Sequence, residues 1–429
     1  LQSIAFLDGT STALVRDYDR RTKISRTYEF DVDAPRGSEP GMLDTLKDGD
    51  SFDDAGRPLE RAGSNGEPII ARDGGAIFLA GDGYSTSGLR PFVDRIDLAT
   101  HVKRRLFQSA LEPLETVVAV LDARRNTFLV ERQSPTAPPD LFVRDGDAHD
   151  VRQLTHYVDP APALRTLHRR VVSYKRADGV ACSFTLYLPP GVREGTPLPT
   201  LLWAYPYEYD DPIAASQNSN FTQTYDEPAG ASERLAALAG YAVLDDVSMP
   251  IVGSGAAASD TLVAQFEMDA RAAIDKAVEL GVTDRERVAV GGHRYGAFMA
   301  ATLLAHTKLF RAGIARSGAY NRTLTPFGFQ NESRTYWQAP DVYARLSPFA
   351  YADRISSPLL LIHGGLDRNP ATPALQSERM YDAIRGNGGT ARLVILPNEA
   401  HTYVSREAVE TTEAETIDWL DRYVRRAAR

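Results

Sequence analysis

The sequence predicts two folds in tandem: an all-β part over residues 1–160 and an α/β part over 161–429 built on an eight-stranded, mostly parallel sheet. Three observations carry this expectation. Short strand-like runs separated by Gly, Asp and Pro turns fill the first part. Strand and helix patterns alternate through the second. Amid that alternation stands a strand–turn–helix junction with glycine flanks, Gly292-His293-Arg294-Tyr295-Gly296.

In the first part the strand-like runs are 3–7, 12–16, 26–30, 76–80, 92–97, 117–121, 127–131 and 141–144. Their spacing suits short antiparallel strands in a sheet or a propeller-type array. No repeat is sharp enough to count blades. In the second part the candidate strands are 171–175, 184–188, 200–205, 241–247, 287–291, 312–316, 359–363 and 392–396. Most are continuous apolar runs, as expected where a sheet is covered on both faces. The helix expected at 259–280 puts Leu262, Val263, Phe266, Ala270, Ile274, Ala277 and Val278 on one face, and Gly281 closes it. A shorter helix, 297–304, follows the glycine junction. The last helix, about 406–426, carries a stripe of Val409, Ile417, Leu420 and Val424. Its acidic start and basic end match the helix macrodipole.

Composition excludes several function classes. With 429 residues, 43% of them apolar, the chain can bury a substantial core. A formal net charge of −9 with no basic run argues against nucleic acid or an anionic membrane as partner. No stretch approaches the ~18 consecutive apolar residues of a membrane helix. Cys182 is the single cysteine and lies in an apolar strand pattern, so neither a disulfide within the chain nor a cysteine metal cluster is expected. The eight histidines lack metal-ligand spacing, and no metal or other cofactor is expected. Nothing near Leu1 resembles a signal peptide, and the compartment is left open.

Chemistry is expected beyond the carboxyl ends of the strands. In a G-x-S-x-G nucleophile elbow, a strand ends in a strained turn that lifts a Ser clear of the sheet, and a helix begins at once. Here Val288-Ala289-Val290 supplies the strand, Gly291, Gly292 and Gly296 permit close backbone approach, and the centre is Arg294. The seventh strand runs into His363-Gly364-Gly365-Leu366-Asp367, and the eighth into Pro397-Asn398-Glu399-Ala400-His401. Position 294, Asp367 and His401 thus follow the order nucleophile, acid, base of α/β-hydrolases. His401 suits general-base work because its ordinary pKa lies near neutrality. Asp367 would fix its tautomer and stabilise the imidazolium. The backbone N–H of Tyr295 and a hydroxyl from the aromatic run after the third strand, Tyr205, are the candidate oxyanion donors.

On these residues the chain resembles the prolyl oligopeptidase family of serine peptidases, and within it the glutamyl endopeptidase branch of chloroplasts and bacteria. The resemblance rests on Val290-Gly291-Gly292-His293 through Tyr295-Gly296-Ala297-Phe298-Met299, interrupted at Arg294. It continues in the run from Ala315-Arg316-Ser317-Gly318-Ala319-Tyr320-Asn321-Arg322 to Gln330-Asn331-Glu332. Further matches are Trp203-Ala204-Tyr205-Pro206, Asp178-Gly179, Leu186-Tyr187-Leu188-Pro189-Pro190 and Gln376-Ser377-Glu378-Arg379. Similarity is dense after residue 170 and loose before it. The loop around Asp367 departs from the family, which more often has an acidic residue near Gly365 and Asn near Arg368. The resemblance implies an α/β-hydrolase preceded by part of a β-propeller, and peptide substrates cleaved after Glu. A cationic pocket for that Glu would draw on Arg316, Arg322 or Arg334. Family members extend further at the N-terminus, so a complement is expected to complete the propeller, either an N-terminal piece of the same precursor or another chain.

Arg294 changes the expectation for turnover. A guanidinium is protonated at physiological pH and offers no lone pair for acyl attack. Its length should carry it into the space of a scissile carbonyl, with Asp367, Glu399 or an anion offsetting its charge. Three readings follow: a peptidase inactivated at one position, a pseudoenzyme that binds acidic peptides or carboxylates through Arg294, or a structural subunit of a larger complex.

Overall fold

The computed structural model describes all residues except 20–21, 48–49, 147–149, 218–219, 228 and 427–429. The chain divides into two compact units, Leu1–Pro160 with Gln223–Asp226, and Ala161–Thr222 with Glu227–Arg429.

The first unit is a stack of antiparallel sheets. Ser3–Phe6, Thr12–Asp19, Ile24–Asp31 and Gly41–Lys47 form one sheet in sequence order. Lys103–Gln108, Phe92–Asp97, Ala76–Gly81 and Arg57–Pro58 form the next, with Arg72–Asp73 also paired to Ala76–Gly81. Leu114–Asp122, Thr127–Ser134, Ala137–Asp145 and Asp150–Gln153 form a third, again in sequence order. Because successive side chains of a strand point to opposite faces, the middle sheet feeds two cores. Ile77, Leu79 and Ile96 join Leu14 of the first sheet and Leu7, which follows its first strand. Phe78, Val93 and Phe107 join Val117, Phe128 and Val130 of the third. Sequence reading missed Gly41–Lys47 and Lys103–Gln108, whose polar residues hide a strand period.

The main sheet of the second unit has eight strands: β1 His168–Lys175, β2 Ala181–Leu188, β3 Leu198–Trp203, β4 Ala242–Asp245, β5 Thr283–His293, β6 Ala312–Arg316, β7 Leu359–Gly364 and β8 Ala391–Leu396. Their spatial order is β1-β2-β4-β3-β5-β6-β7-β8, antiparallel for β1 with β2 and β2 with β4, and parallel thereafter. The continuous apolar runs split by period two. Leu202, Val290, Ala315 and Leu361 face a core shared with α1 (Ala256–Glu279), α2 (Tyr295–His306) and α3 (Leu375–Gly386). Leu201, Ala289, Ile314, Leu360 and Ile362 face the layer of α4 (Arg406–Leu420).

Helix α1 buries Leu262, Phe266, Ala270, Ile274 and Ala277, and Gly281 follows its end with φ +69°. Two polar side chains on the same face, Gln265 and Asp269, are also buried, which hydrophobic period alone does not reveal. Arg176 explains them: its Nη1 donates to Asp269 Oδ1 at 2.9 Å and to Pro250 O at 2.7 Å, and its Nε and Nη2 grip Asp178. Burial pushes the Asp269 carboxyl well above its ordinary range, and only Arg176 pulls it back. Breaking one partner of such a pair strands the other charge. Arg176→Ala is therefore expected to cost about 3–5 kcal/mol in urea unfolding; a loss below ~1 kcal/mol would contradict this ledger.

The stripe expected on the last helix is partly buried: Leu420 and Val424 are fully enclosed. Ala408, Thr412, Thr416, Trp419 and Leu420 are its buried residues, while Val409 and Ile417 are half-buried. Polar residues share the buried face: Arg316 lies beneath the helix, and its Nη2 donates to Thr416 Oγ1 at 3.0 Å. After Leu420 the chain widens into a π turn, Asp421–Arg425, short of the expected end.

Candidate active site

One residue, Arg294, separates β5 from α2, with φ 55° and ψ −108°. Such a backbone costs a non-glycine residue on the order of 1–3 kcal/mol and persists only when its surroundings hold it. They do. The Arg294 N–H donates to Arg316 O at 2.8 Å, and Arg294 O accepts from Phe298 N–H at 3.1 Å. The flanking glycines let β3 press against the turn: a Cβ on Gly296 would lie 2.2 Å from Ala204 O, and one on Gly292 2.4 Å from Gly296 C. Backbone cannot yield as a side chain can, so Gly296→Ala is expected to lower stability by about 1–3 kcal/mol. Equal chemical-denaturation midpoints for parent and variant would show that the turn has slack.

The Arg294 side chain is exposed and makes no hydrogen bond or ion pair with a described residue. The expected offsets are engaged elsewhere. Glu399 accepts from the N–H groups of Val404 at 2.7 Å and Ser405 at 3.3 Å. Asp367 turns to a histidine.

That histidine is His401, whose Nδ1 donates to Asp367 Oδ2 at 2.7 Å. Burial alone would raise the Asp367 pKa, but the hydrogen bond from His401, the Asn369 N–H and the two imidazoles carry it below its ordinary value. An ionised Asp367 only accepts, so Nδ1 holds the proton and Nε2 is left with the lone pair. The Nε2 atom is buried and has no hydrogen-bond partner among the described residues. The loops bearing acid and base are stitched together: Gly365 N–H donates to Leu396 O and Leu366 N–H to Glu399 O, both at 2.8 Å.

Sequence reading missed the groups around the pair. His363 is fully buried; its Nε2 donates to Thr372 O at 2.9 Å and lies 3.2 Å from Asp367 Oδ2, while its Nδ1 accepts from Ser377 Oγ at 2.7 Å. Burial, first among the causes, keeps its pKa below the ordinary histidine value. Thr372 Oγ1 also donates to Asp367 Oδ2. His293 packs edge-on against His401 with ring centres 4.8 Å apart, and burial followed by the His401 charge pulls its pKa down to about 3. It stays neutral beside the base. The i, i+4 spacing of His363 and Asp367 was the available signal for the first of these.

Tyr295 opens α2, so its N–H has no intrahelical acceptor. Its hydroxyl donates to Glu208 Oε1 at 2.6 Å, which fixes the ring in the core. Tyr205 is half-buried, ring-packed against Tyr207 and Tyr295, and its hydroxyl makes no side-chain hydrogen bond to a described residue.

The three candidate arginines separate. Arg316 is spent on structure: Nη1 donates to Ala231 O at 3.1 Å, Nη2 to Thr416, and the guanidinium stacks 4.6 Å over Trp203. Arg334 is held side-on by Glu332 with bonds of 2.8 and 2.6 Å. Both guanidinium groups thus already have partners within the chain. Arg322 is 3% exposed, and its Nε and Nη2 have no acceptor among the described residues.

Comparison with known proteins gives this geometry a context. Residues 264–427 match the family model described as the prolyl oligopeptidase family. The "Probable glutamyl endopeptidase, chloroplastic" of Arabidopsis thaliana is 39% identical over 442 residues, covering 98% of this chain and 46% of that protein. The protein of the same name in Oryza sativa subsp. japonica is 39% identical over 431 residues, covering 96% of this chain and 46% of that one. The chain thus spans about half the length of the curated relatives it matches. The crystal structure of Porphyromonas gingivalis dipeptidyl peptidase 4 is similar at a TM-score of 0.66 and 16% identity, covering 98% of this chain and 63% of that one. At that identity the likeness speaks for the fold, an α/β-hydrolase preceded by part of a β-propeller.

Proposed function

The chain carries a prolyl oligopeptidase family domain over residues 264–427, and from that premise we propose that its second unit is a serine-peptidase scaffold for cleaving oligopeptides after Glu, silenced at Arg294. The observation that carries the reading is the pairing of His401 Nδ1 with Asp367 Oδ2 at 2.7 Å, which leaves His401 Nε2 as a buried acceptor. With Ser at 294, the hydroxyl would pass its proton to Nε2 as its oxygen attacks the peptide carbonyl. Asp367 would stabilise the imidazolium so formed. The Tyr295 N–H and the Tyr205 hydroxyl would receive the oxyanion. His401 would then return the proton to the leaving amine, and water would cleave the acyl-enzyme by the same path in reverse. Similarity to two glutamyl endopeptidases supports the preference for Glu.

Arg294 ends this sequence at its first step. Its guanidinium has no nucleophilic lone pair and no proton that His401 could remove at neutral pH. A fluorophosphonate probe, which labels an activated serine covalently, tests the proposal. The parent chain should remain unlabelled at 294 and Arg294→Ser should label there, with labelling abolished by His401→Ala. An unlabelled Arg294→Ser chain of native fold would defeat the reading.

A second reading has its own support. Arg294 is exposed and unpaired among the described residues, as suits a site that binds acidic peptides without cleaving them. Calorimetry with a Glu-rich peptide at physiological salt should then show binding that Arg294→Ala removes. Absence of binding by the parent chain would discard it.

A further inference from the structure

Arg322 lies on the short turn Arg322–Leu324 that follows β6, at the same sheet end as the elbow. Its guanidinium sits 4.1 Å from the ring centre of Phe298, 4.5 Å from that of Phe329 and 5.9 Å from that of Tyr295, the residue directly after 294. The turn is pinned. The Arg322 N–H donates to Ser347 Oγ at 2.8 Å, and the neighbouring N–H groups of Tyr320 and Asn321 both donate to Gln376 Oε1.

Ring faces answer a cation's charge but leave its N–H groups without acceptors. Elsewhere in this chain the Nε and Nη2 pair of four arginines forks a carboxylate. Arg105, Arg176, Arg334 and Arg392 each present those two nitrogens side-on to both oxygens of one carboxylate, those of Asp94, Asp178, Glu332 and Glu415. In Arg322 these same two nitrogens are buried and without an acceptor among the described residues. Burial pulls its pKa down to about 10, against the opposing pull of Tyr295, Glu208 and Tyr343, so it is charged at neutral pH. Glu208 does not pair with it: its Oε1 accepts from the Tyr295 hydroxyl and its Oε2 from the Asn331 N–H. A buried fork of this kind is costly to the fold unless a ligand makes use of it.

We infer that Arg322, within its cage of Phe298, Phe329 and Tyr295, is the specificity-determining residue of the scaffold and receives the side-chain carboxylate of the substrate residue on the acyl side of the scissile bond through Nε and Nη2. The aromatic walls take the methylenes of that side chain, and the fork takes its two oxygens. The inference rests on the peptidase reading for the identity of the ligand as a peptide, but the carboxylate preference of the cage stands apart from catalysis.

The test keeps the two separate. In the Arg294→Ser chain, peptides that differ only in Glu or Gln before the cleaved bond should differ in kcat/KM by about 10²-fold or more. Adding Arg322→Met, which fills the cage without charge, should bring that ratio to within about threefold of unity. Arg322→Lys should leave an intermediate ratio, because a point charge replaces a fork. In parallel, calorimetry on the Arg294→Ala chain, which cannot hydrolyse, compares peptide amides ending in Glu and in Gln. The Glu peptide should bind more tightly, and Arg322→Met should abolish the difference. If Arg294→Ser cleaves nothing while the binding difference follows Arg322, the peptidase reading fails and the carboxylate site stands. A Glu-to-Gln ratio unchanged by both Arg322→Met and Arg322→Lys, with native circular dichroism, overturns the inference.

Discussion

Arg294→Ser is expected to raise turnover of a Glu-containing peptide by about six orders of magnitude, the typical cost of losing a triad nucleophile. The change asks little of the fold. The positive φ at 294 is imposed by the hydrogen bonds to Arg316 O and from Phe298 N–H and by the glycines on either side, not by the arginine side chain. That side chain is exposed and makes no bond to a described residue, so its removal strands no partner. Ser is short enough to remain within the turn. It would meet a base whose tautomer is already set by Asp367. Burst kinetics with an activated ester, followed by kcat/KM on the peptide, would measure both acylation and turnover. A Ser variant as inert as the parent chain would mean that something other than position 294 silences this site.

In the Arg294→Ser background, Asp367→Asn is expected to lower kcat by about 10⁴-fold while leaving the fold intact. The Asp367 carboxylate is surrounded by donors. Oδ1 accepts from Asn369 N–H at 2.8 Å, while Oδ2 faces His401 Nδ1, His363 Nε2 and Thr372 Oγ1. An amide supplies one oxygen for this ring of donors. If that oxygen keeps Asn369, the amide nitrogen points at His401 and forces the proton onto Nε2, where a base is needed. If it turns the other way, the Asn369 N–H loses its partner. The variant also separates catalysis from stability. Because the folded-state pKa of Asp367 lies below its ordinary value of 3.8, its contribution to stability is complete above that value and is lost as pH falls through the depressed one. Asp367→Asn has no such titration, so its acid unfolding curve should be shallower on that limb than the parent's. Identical acid limbs, or a fall in kcat of less than tenfold, would mean that Asp367 does not orient His401.

Much of this was legible in the chain because local chemistry dictates it. Continuous apolar runs such as 359–363 cannot face water on either side, so a doubly covered sheet follows from them. The glycines at 292 and 296 announce a backbone approach that no Cβ permits, and the clash distances to Gly296 and Ala204 bear this out in atoms. Polar residues were harder to read. Asp269 and Gln265 lie on the apolar face of α1 because Arg176, about ninety residues earlier, reaches them. Thr416 lies on the buried face of α4 and accepts a hydrogen bond from Arg316 beneath it. Such contacts join residues far apart in sequence, and no period records them.

The arginines divide what sequence determines from what only tertiary structure decides. The sequence alone determined that a cation occupies position 294, that Asp367 and His401 follow in hydrolase order, and that Arg316, Arg322 and Arg334 lie along one stretch after the elbow. It could not rank those three, because a side chain's identity says nothing of its partners. Packing made the distinction: Arg316 is bound beneath a helix, Arg334 is paired with Glu332, and Arg322 is buried among rings with two donors unanswered. A charge acquires its role from the acceptors that folding brings within about 3 Å of it, and those acceptors come from every part of the chain.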